Sequence, residues 1–368
     1  MSRSTVVVKV GSSSLTTAEG AVDVDVVAGL AAQIASVRRA GDRVVVVTSG
    51  AVAAGLPMLG YPVHRRPRDK RSLRAASAVG QSSLMRIWEQ ALGVHDLVAG
   101  QVLLAPTDFM VRRRYLTARG TMGRLLELGV VPVVNENDAV ADDEIRFPGD
   151  NDRLAALVTH LVDARLLVLL TDAPGLFTGD PRRDASASLI EEIAEIDHEL
   201  EALAGGVGTS VGRGGMASKL AAAKMGTWSG VETVIAAAGR PDVLVDAAAG
   251  RPGVGSVFRA REARLAARKL WIAFALPASG RIIVDEGARR ALEHGRRSLL
   301  PAGVMGCSGT FRVDDAVEIA DAGGAVFAKG LVRWSAEDLA HHAGRRTTDL
   351  PGRLPHEVVH RDDLVAVP

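Results

Sequence analysis

The chain has 368 residues, 47% hydrophobic and 24% charged, which rules out global disorder. At roughly 150 residues per domain that length implies about two to three domains. Forty-four Lys and Arg against forty-three Asp and Glu leave a net charge of +1, so no global field draws the chain to nucleic acid or an anionic membrane.

The N-terminal stretch Met1–Val10 has neither the length nor the cleavage pattern of a secretory signal. No run approaches the ~18 apolar residues of a membrane span, so a cytoplasmic protein is expected. Thr5–Val10 reads as a buried strand that stops at Gly11. Val27, Leu30, Ala31, Ile34 and Val37 recur with a helical period, and Gly41 is the expected stop. Strand signals follow at Arg43–Thr48, Leu97–Leu104, Val130–Val134, Arg165–Thr171 and Val231–Ala237. Leu116–Leu128, Asp152–Val162 and Met216–Trp228 read as helices between them. Alternating strands and helices predict an α/β fold with a mostly parallel sheet sandwiched by helices.

Beyond Gly280 the elements shorten: a strand at Arg281–Val284, a helix near Glu286–His294, and strands at Val317–Ala320 and Val326–Lys329. They predict a second, small β-rich domain. The expected division is 1–260, a linker at 261–277, and 278–368.

The single cysteine, Cys307, excludes an intramolecular disulfide framework and Cys-rich metal sites. Neither a Walker A loop nor G-x-G-x-x-G is present; Val211 stands where the last Gly of the latter is needed. His356-Glu357-Val358-Val359-His360 matches H-E-x-x-H formally. Pro355 before it and two β-branched residues inside it predict a terminal strand rather than a metal-binding helix.

Parallel sheets bind ligands at the carboxyl ends of their strands. Lys9-Val10-Gly11-Ser12-Ser13 puts a cation at such an end, followed by small residues that let an anion approach the backbone. A strand-end lysine would look the same. Thr48-Ser49-Gly50-Ala51 is a similar exit before a helix N-terminus, which offers free N–H donors. Asn135-Glu136-Asn137-Asp138 and Gly149-Asp150-Asn151-Asp152 suit a substrate ammonium or a metal, although helix capping accounts for part of the second cluster. Six glycines within 205–215 lead into a helix whose first turn carries Lys219. Two lysines, anion-binding exits and a carboxylate–amide cluster fit phosphoryl transfer, in which catalysis is mainly positioning and charge neutralisation.

These segments, with Leu170-Thr171-Asp172 and Gly214-Gly215-Met216-Ala217-Ser218-Lys219, resemble the amino-acid kinase family, and within it the bacterial glutamate 5-kinases. The tail from Gly280, including Ile283-Val284-Asp285-Glu286-Gly287-Ala288 and Val359-His360-Arg361-Asp362-Asp363, resembles a PUA domain. The resemblance implies transfer of the ATP γ-phosphoryl group to the side-chain carboxylate of L-glutamate, with Mg²⁺ held mainly by the nucleotide phosphates. It implies catalytic roles for Lys9, Lys219 and Asp152, and glutamate contacts from Ser49, Gly50, Asp138 and Asn151. ATP would meet Lys9, Gly11, Thr171, Asp172, Arg213, Gly214, Gly215, Met216, Ala217, Ser218 and Lys219. A homo-oligomer and feedback inhibition by proline are further implications.

Two features depart from the family pattern: Arg213, where a small hydroxyl residue is more usual, and Phe147-Pro148 before Gly149. Two alternatives stay open. Another amino-acid kinase acting on an acylated or phosphorylated substrate would have no ammonium for Asp138. An RNA-binding role for the tail has Arg296, Arg297, Arg345, Arg346 and Arg353 in its favour, but acidic residues offset them and aromatics are few.

Overall fold

A computed structural model describes residues 4–17, 19–62, 66–140, 151–204, 215–262, 264–276, 278–295, 297–352 and 354–367. The chain separates into two compact units, Met1–Arg264 and Leu265–Pro368.

In the first unit, strands β1 (Thr5–Val10), β2 (Arg43–Val47), β3 (Ala99–Leu104), β4 (Val131–Glu136) and β5 (Leu166–Thr171) alternate with helices. The helices are α1 (Ser12–Leu15), α2 (Val24–Arg39), α3 (Ala51–Met58), α4 (Lys70–Gly93), α5 (Pro106–Met110), α6 (Arg112–Glu127) and α7 (Asn151–Leu161). Then come β6 (Glu192–Ile193), α8 (His198–Ala204), α9 (Met216–Trp228), β7 (Glu232–Ala237), α10 (Val243–Ala248) and β8 (Ser256–Phe258). The eight strands form one sheet in the order β3-β4-β2-β1-β5-β7-β8-β6. All neighbours pair in parallel except β7 and β8. Burial on both faces explains the unbroken Val and Leu runs of β1, β2 and β5.

Alternation along β1 decides where its lysine goes. Val6, Val8 and Val10 join the core under α2, α4 and α10. Lys9 therefore projects from the opposite face, where α7 lies against β1 and α9 packs on α7. The strand order reverses between β1 and β5, the place where sheets of this kind leave a crevice at the carboxyl edge.

The 24-residue helix α4 has no counterpart in the sequence expectations. Its buried face is partly small: Ala76, Ser77 and Gly80, then Leu84, Met85, Trp88, Ala91 and Leu92. Small residues are needed because α3 crosses it at backbone contact. A Cβ on Gly80 would lie 1.9 Å from the Ala51 carbonyl oxygen, and one on Gly55 would lie 1.8 Å from that of Ala76. The helix expected from Leu116 begins four residues earlier at Arg112, in a run of arginines with no apolar period to reveal it. Among the described residues, no helix is long and apolar enough to cross a membrane.

The second unit opens with a helical turn, α11 (Ala267–Leu270), and a π-helical turn at Trp271–Ala275, within the stretch read from sequence as a linker. Leu270, Trp271 and Ile272 are buried. Strands β9 (Gly280–Val284), β10 (Val304–Gly309), β11 (Ala316–Ala320), β12 (Val326–Val332) and β13 (Val359–Ala366) form a sheet ordered β10-β9-β11-β12-β13. Only β9 and β11 are parallel. Helices α12 (Glu286–Gly295) and α13 (Ala336–His342) accompany a core that includes Ile282, Val317, Ile319 and Trp334. The H-E-x-x-H stretch is not helical: His356 and Glu357 precede β13, His360 lies on it, and Glu357 meets Arg333 at 3.3 Å.

Candidate active site

Four strand exits and the starts of two helices converge at the carboxyl edge of the first sheet. Lys9, on β1, reaches Asp152 in the first turn of α7, with Nζ 2.5 Å from Oδ1. The other oxygen, Oδ2, accepts a hydrogen bond from Ser218 Oγ at 2.5 Å and lies 3.4 Å from Lys219 Nζ. All three charged groups are almost completely withdrawn from solvent: Lys9 and Lys219 are 4% exposed and Asp152 is 1%. One carboxylate thus fixes two ammonium groups, a cluster with one net positive charge.

Burial by itself raises the Asp152 carboxyl, but the Lys9 and Lys219 charges outweigh it and hold the group below the ordinary aspartate range. The same burial pushes the Lys219 ammonium below the ordinary lysine range. Asp152 opposes that shift and the like charge of Lys9 reinforces it.

A second, uncharged cluster adjoins the first through α7. Asn151 Nδ2 lies 2.9 Å from the Thr48 carbonyl oxygen, 3.0 Å from Ser49 Oγ and 3.1 Å from Asn135 Oδ1. Asn135 Oδ1 also accepts from the Glu136 N–H at 2.9 Å. Trp88 of α4 donates Nε1–H to Thr48 Oγ1 at 3.1 Å, and Thr48 Oγ1 donates to the Ser49 carbonyl at 3.0 Å. Gly50 completes this turn at φ +101°, in the left-handed region where a side chain is strained, and caps α3. Asn151 Oδ1 is buried with no hydrogen-bond partner among the described residues. A buried amide oxygen left unpaired is costly, so it suits a donor brought by a ligand.

Asp138, in the turn after β4, accepts a hydrogen bond from Ser77 Oγ at 2.5 Å. Burial raises its carboxyl above the usual aspartate range, while Ser77 and the nearby Arg74 charge pull the other way. Helix α4 reaches both the Asp138 and the Asn151 regions, through Ser77 and through Trp88.

Gly11 follows β1, and a Cβ there would stand 3.5 Å from Lys9 Nζ. Thr171 ends β5 and donates to the exposed Asp172 at 2.9 Å. Gly215 caps α9, whose first turn carries Met216, Ala217, Ser218 and Lys219. Arg213 and Gly214 lie outside the described residues, as do Phe147, Pro148, Gly149 and Asp150. Sequence reasoning did not find Ser77 or Trp88. A lone serine on the buried face of a small-residue helix was the available sign of the first.

The model of the amino acid kinase family matches residues 4–236, and that of the PUA domain matches residues 280–352. The chain belongs to the amino acid kinase family. It is 46% identical to glutamate 5-kinase of Citrifermentans bemidjiense over 364 residues, spanning 98% of this chain and 96% of that protein. Against glutamate 5-kinase of Burkholderia mallei it is 46% identical over 365 residues, spanning 98% and 97%. A solved carbamate kinase from Giardia lamblia, bound to AMP-PNP, superposes with a TM-score of 0.50 at 18% identity. It covers 71% of this chain and 99% of that one, a likeness of fold alone.

Proposed function

We infer that the chain is a glutamate 5-kinase: it transfers the γ-phosphoryl group of ATP to the side-chain carboxylate of L-glutamate, the first step of proline biosynthesis. The observation that carries this reading is the pair of buried ammonium groups held by Asp152 beside the Asn135–Asn151 amide cluster. A glutamate carboxylate, with a reference pKa near ~4.3, is ionised at neutral pH and needs no general base. It needs relief from repulsion by the nucleotide. One of its oxygens attacks the γ-phosphorus, the bond to the β–γ bridging oxygen breaks, and ADP leaves with the electron pair.

Lys9 and Lys219 stabilise the negative charge on the transferring group, and Asp152 sets the spacing between them. Ser218 holds the oxygen of Asp152 that Lys219 also approaches. Ser49, Gly50 and Asn151 receive the amino-acid end of glutamate, and Asp138 pairs with its ammonium group. Thr171, Asp172, Gly11 and residues 213–219 surround the nucleotide.

Asp152 is already occupied by two ammonium groups and a hydroxyl, which supports Mg²⁺ riding on the nucleotide phosphates. The ion supplies further neutralisation there. Proline shares the ammonium and α-carboxylate of glutamate, which supports feedback inhibition at the same end of the site. We further assign catalysis to 1–260 and the PUA domain to 278–368, joined by 261–277, and expect a cytoplasmic homo-oligomer. ADP release by the purified chain with ATP and Mg²⁺ tests the reading across L-glutamate, N-acetylglutamate and L-aspartate. Strong preference for L-glutamate is expected; turnover of N-acetylglutamate in its place would overturn it.

A further inference from the structure

We propose that Ser77 is a positioning residue for glutamate, its hydroxyl fixing one carboxylate oxygen of Asp138 so that the other faces the substrate ammonium. The inference rests on the role given to Asp138 above and extends it to a residue on a different element.

The geometry is specific. Ser77 sits on α4 with 1% of its surface exposed, and its Oγ lies 2.5 Å from Asp138 Oδ2, sixty-one residues away in sequence. A serine inside a helix often returns its hydroxyl to a carbonyl one turn back. Ser36, Ser82 and Ser229 in this chain bond backbone carbonyls three or four residues earlier. Ser77 instead spends its hydroxyl on a carboxylate. Its helix packs at backbone distance on α3, with the Gly80 backbone against Ala51 one turn further on.

The bond has a chemical consequence. A half-buried carboxyl resists ionisation, and only its ionised form attracts an ammonium group. Ser77 opposes that resistance as a donor, and Arg74, one turn earlier on α4, opposes it as a charge. These are the two groups facing Asp138 from α4. A hydrogen bond to an ionised group is stronger than a neutral one and also restricts carboxylate rotation. Without the hydroxyl, Asp138 takes up a proton at higher pH and turns more freely.

The test is steady-state kinetics of the full-length chain as Ser77→Ala, Ser77→Thr and Asp138→Asn between pH 6 and 9. For Ser77→Ala, KM for glutamate rises on the order of 10-fold at neutral pH. The rise steepens as pH falls, while KM for ATP and kcat at saturating glutamate stay near their original values. Ser77→Thr, which keeps the hydroxyl, restores most of the affinity. An unchanged glutamate KM in Ser77→Ala at every pH would overturn the proposal, as would equal losses in ATP and glutamate parameters. Asp138→Asn separates the two readings. If it raises the glutamate KM and Ser77→Ala does not, only the role of Ser77 falls; if Asp138→Asn has no effect, the role of Asp138 falls first.

Discussion

The two ends of the site are built from different materials. At the end proposed for phosphoryl transfer, Lys9, Asp152 and Lys219 carry full charges, are buried, and hold one another in place. At the end proposed for the amino acid, Thr48, Ser49, Asn135 and Asn151 form a neutral lattice of amides, hydroxyls and backbone, and Asp138, hydrogen-bonded to Ser77 and near the Arg74 charge, is the carboxylate assigned to that end. Charge that develops only during reaction is met by charge; a substrate that must be recognised before reaction is met by shape and direction. Substitutions at the first end should therefore act on kcat, and those at the second on KM.

Lys219→Ala offers the most severe test of that division. It should lower kcat by about 10²-fold or more, as removing a transition-state charge partner does, with little change in KM for glutamate. Near-normal turnover would break the comparison outright. At the other end, Asp138→Ala should raise KM for glutamate by roughly tenfold, the scale of a lost charge-assisted contact, while KM for ATP barely moves. The reverse pattern would move Asp138 to the nucleotide side.

A smaller effect is expected from pH. Burial lowers the Lys219 pKa, so its ammonium loses a proton below the ordinary lysine value of ~10.4. The protonated form is the one that neutralises phosphate. A profile of kcat/KM for ATP, which reports the free enzyme, should fall as pH rises through that lowered value, and Lys219→Arg should move the alkaline limb upward. An alkaline limb that Lys219→Arg leaves unmoved would contradict it. The smallest effect is expected on removing the second unit: a chain ending at Arg264 should retain kcat of the same order as the full-length protein. Complete loss would mean that the PUA domain completes the site.

Much of this arrangement was legible in the sequence because it is local. The helix Met216–Trp228 was delimited residue for residue, since glycines precede it and its apolar pattern ends cleanly at Ser229-Gly230. The strand ends were nearly as plain: β1 and β5 end at Val10 and Thr171 as expected, β2 stops one residue before Thr48, and β4 runs two residues past Val134, through Asn135 and Glu136. What escaped was α4. The α3 crossing puts Ala76, Ser77 and Gly80 on the contact face of its first half, so large apolar residues at helical spacing begin only at Leu84 and continue through Met85, Trp88, Ala91 and Leu92. The Ser77–Asp138 bond escaped with it, because nothing local links residues so far apart. The dual role of the Asn135 and Asn151 cluster was also hidden: composition suggested ligands, whereas Asn151 Nδ2 and Asn135 Oδ1 are committed to holding the loops.

The crossing at Gly55 and Gly80 bears on selectivity by length. Where backbone touches backbone there is no compressible side chain to absorb a shift, so α4 cannot follow a substrate that is one methylene shorter or longer. On the role proposed for Asp138, which Ser77 ties to α4, its distance from the two lysines is then a fixed ruler. Loss of a methylene in a pocket is ordinarily worth only about 1–3 kcal/mol of discrimination. A ruler with rigid ends adds misplacement of the reacting oxygen to that modest sum, and misplacement is penalised in the rate as well as in the binding.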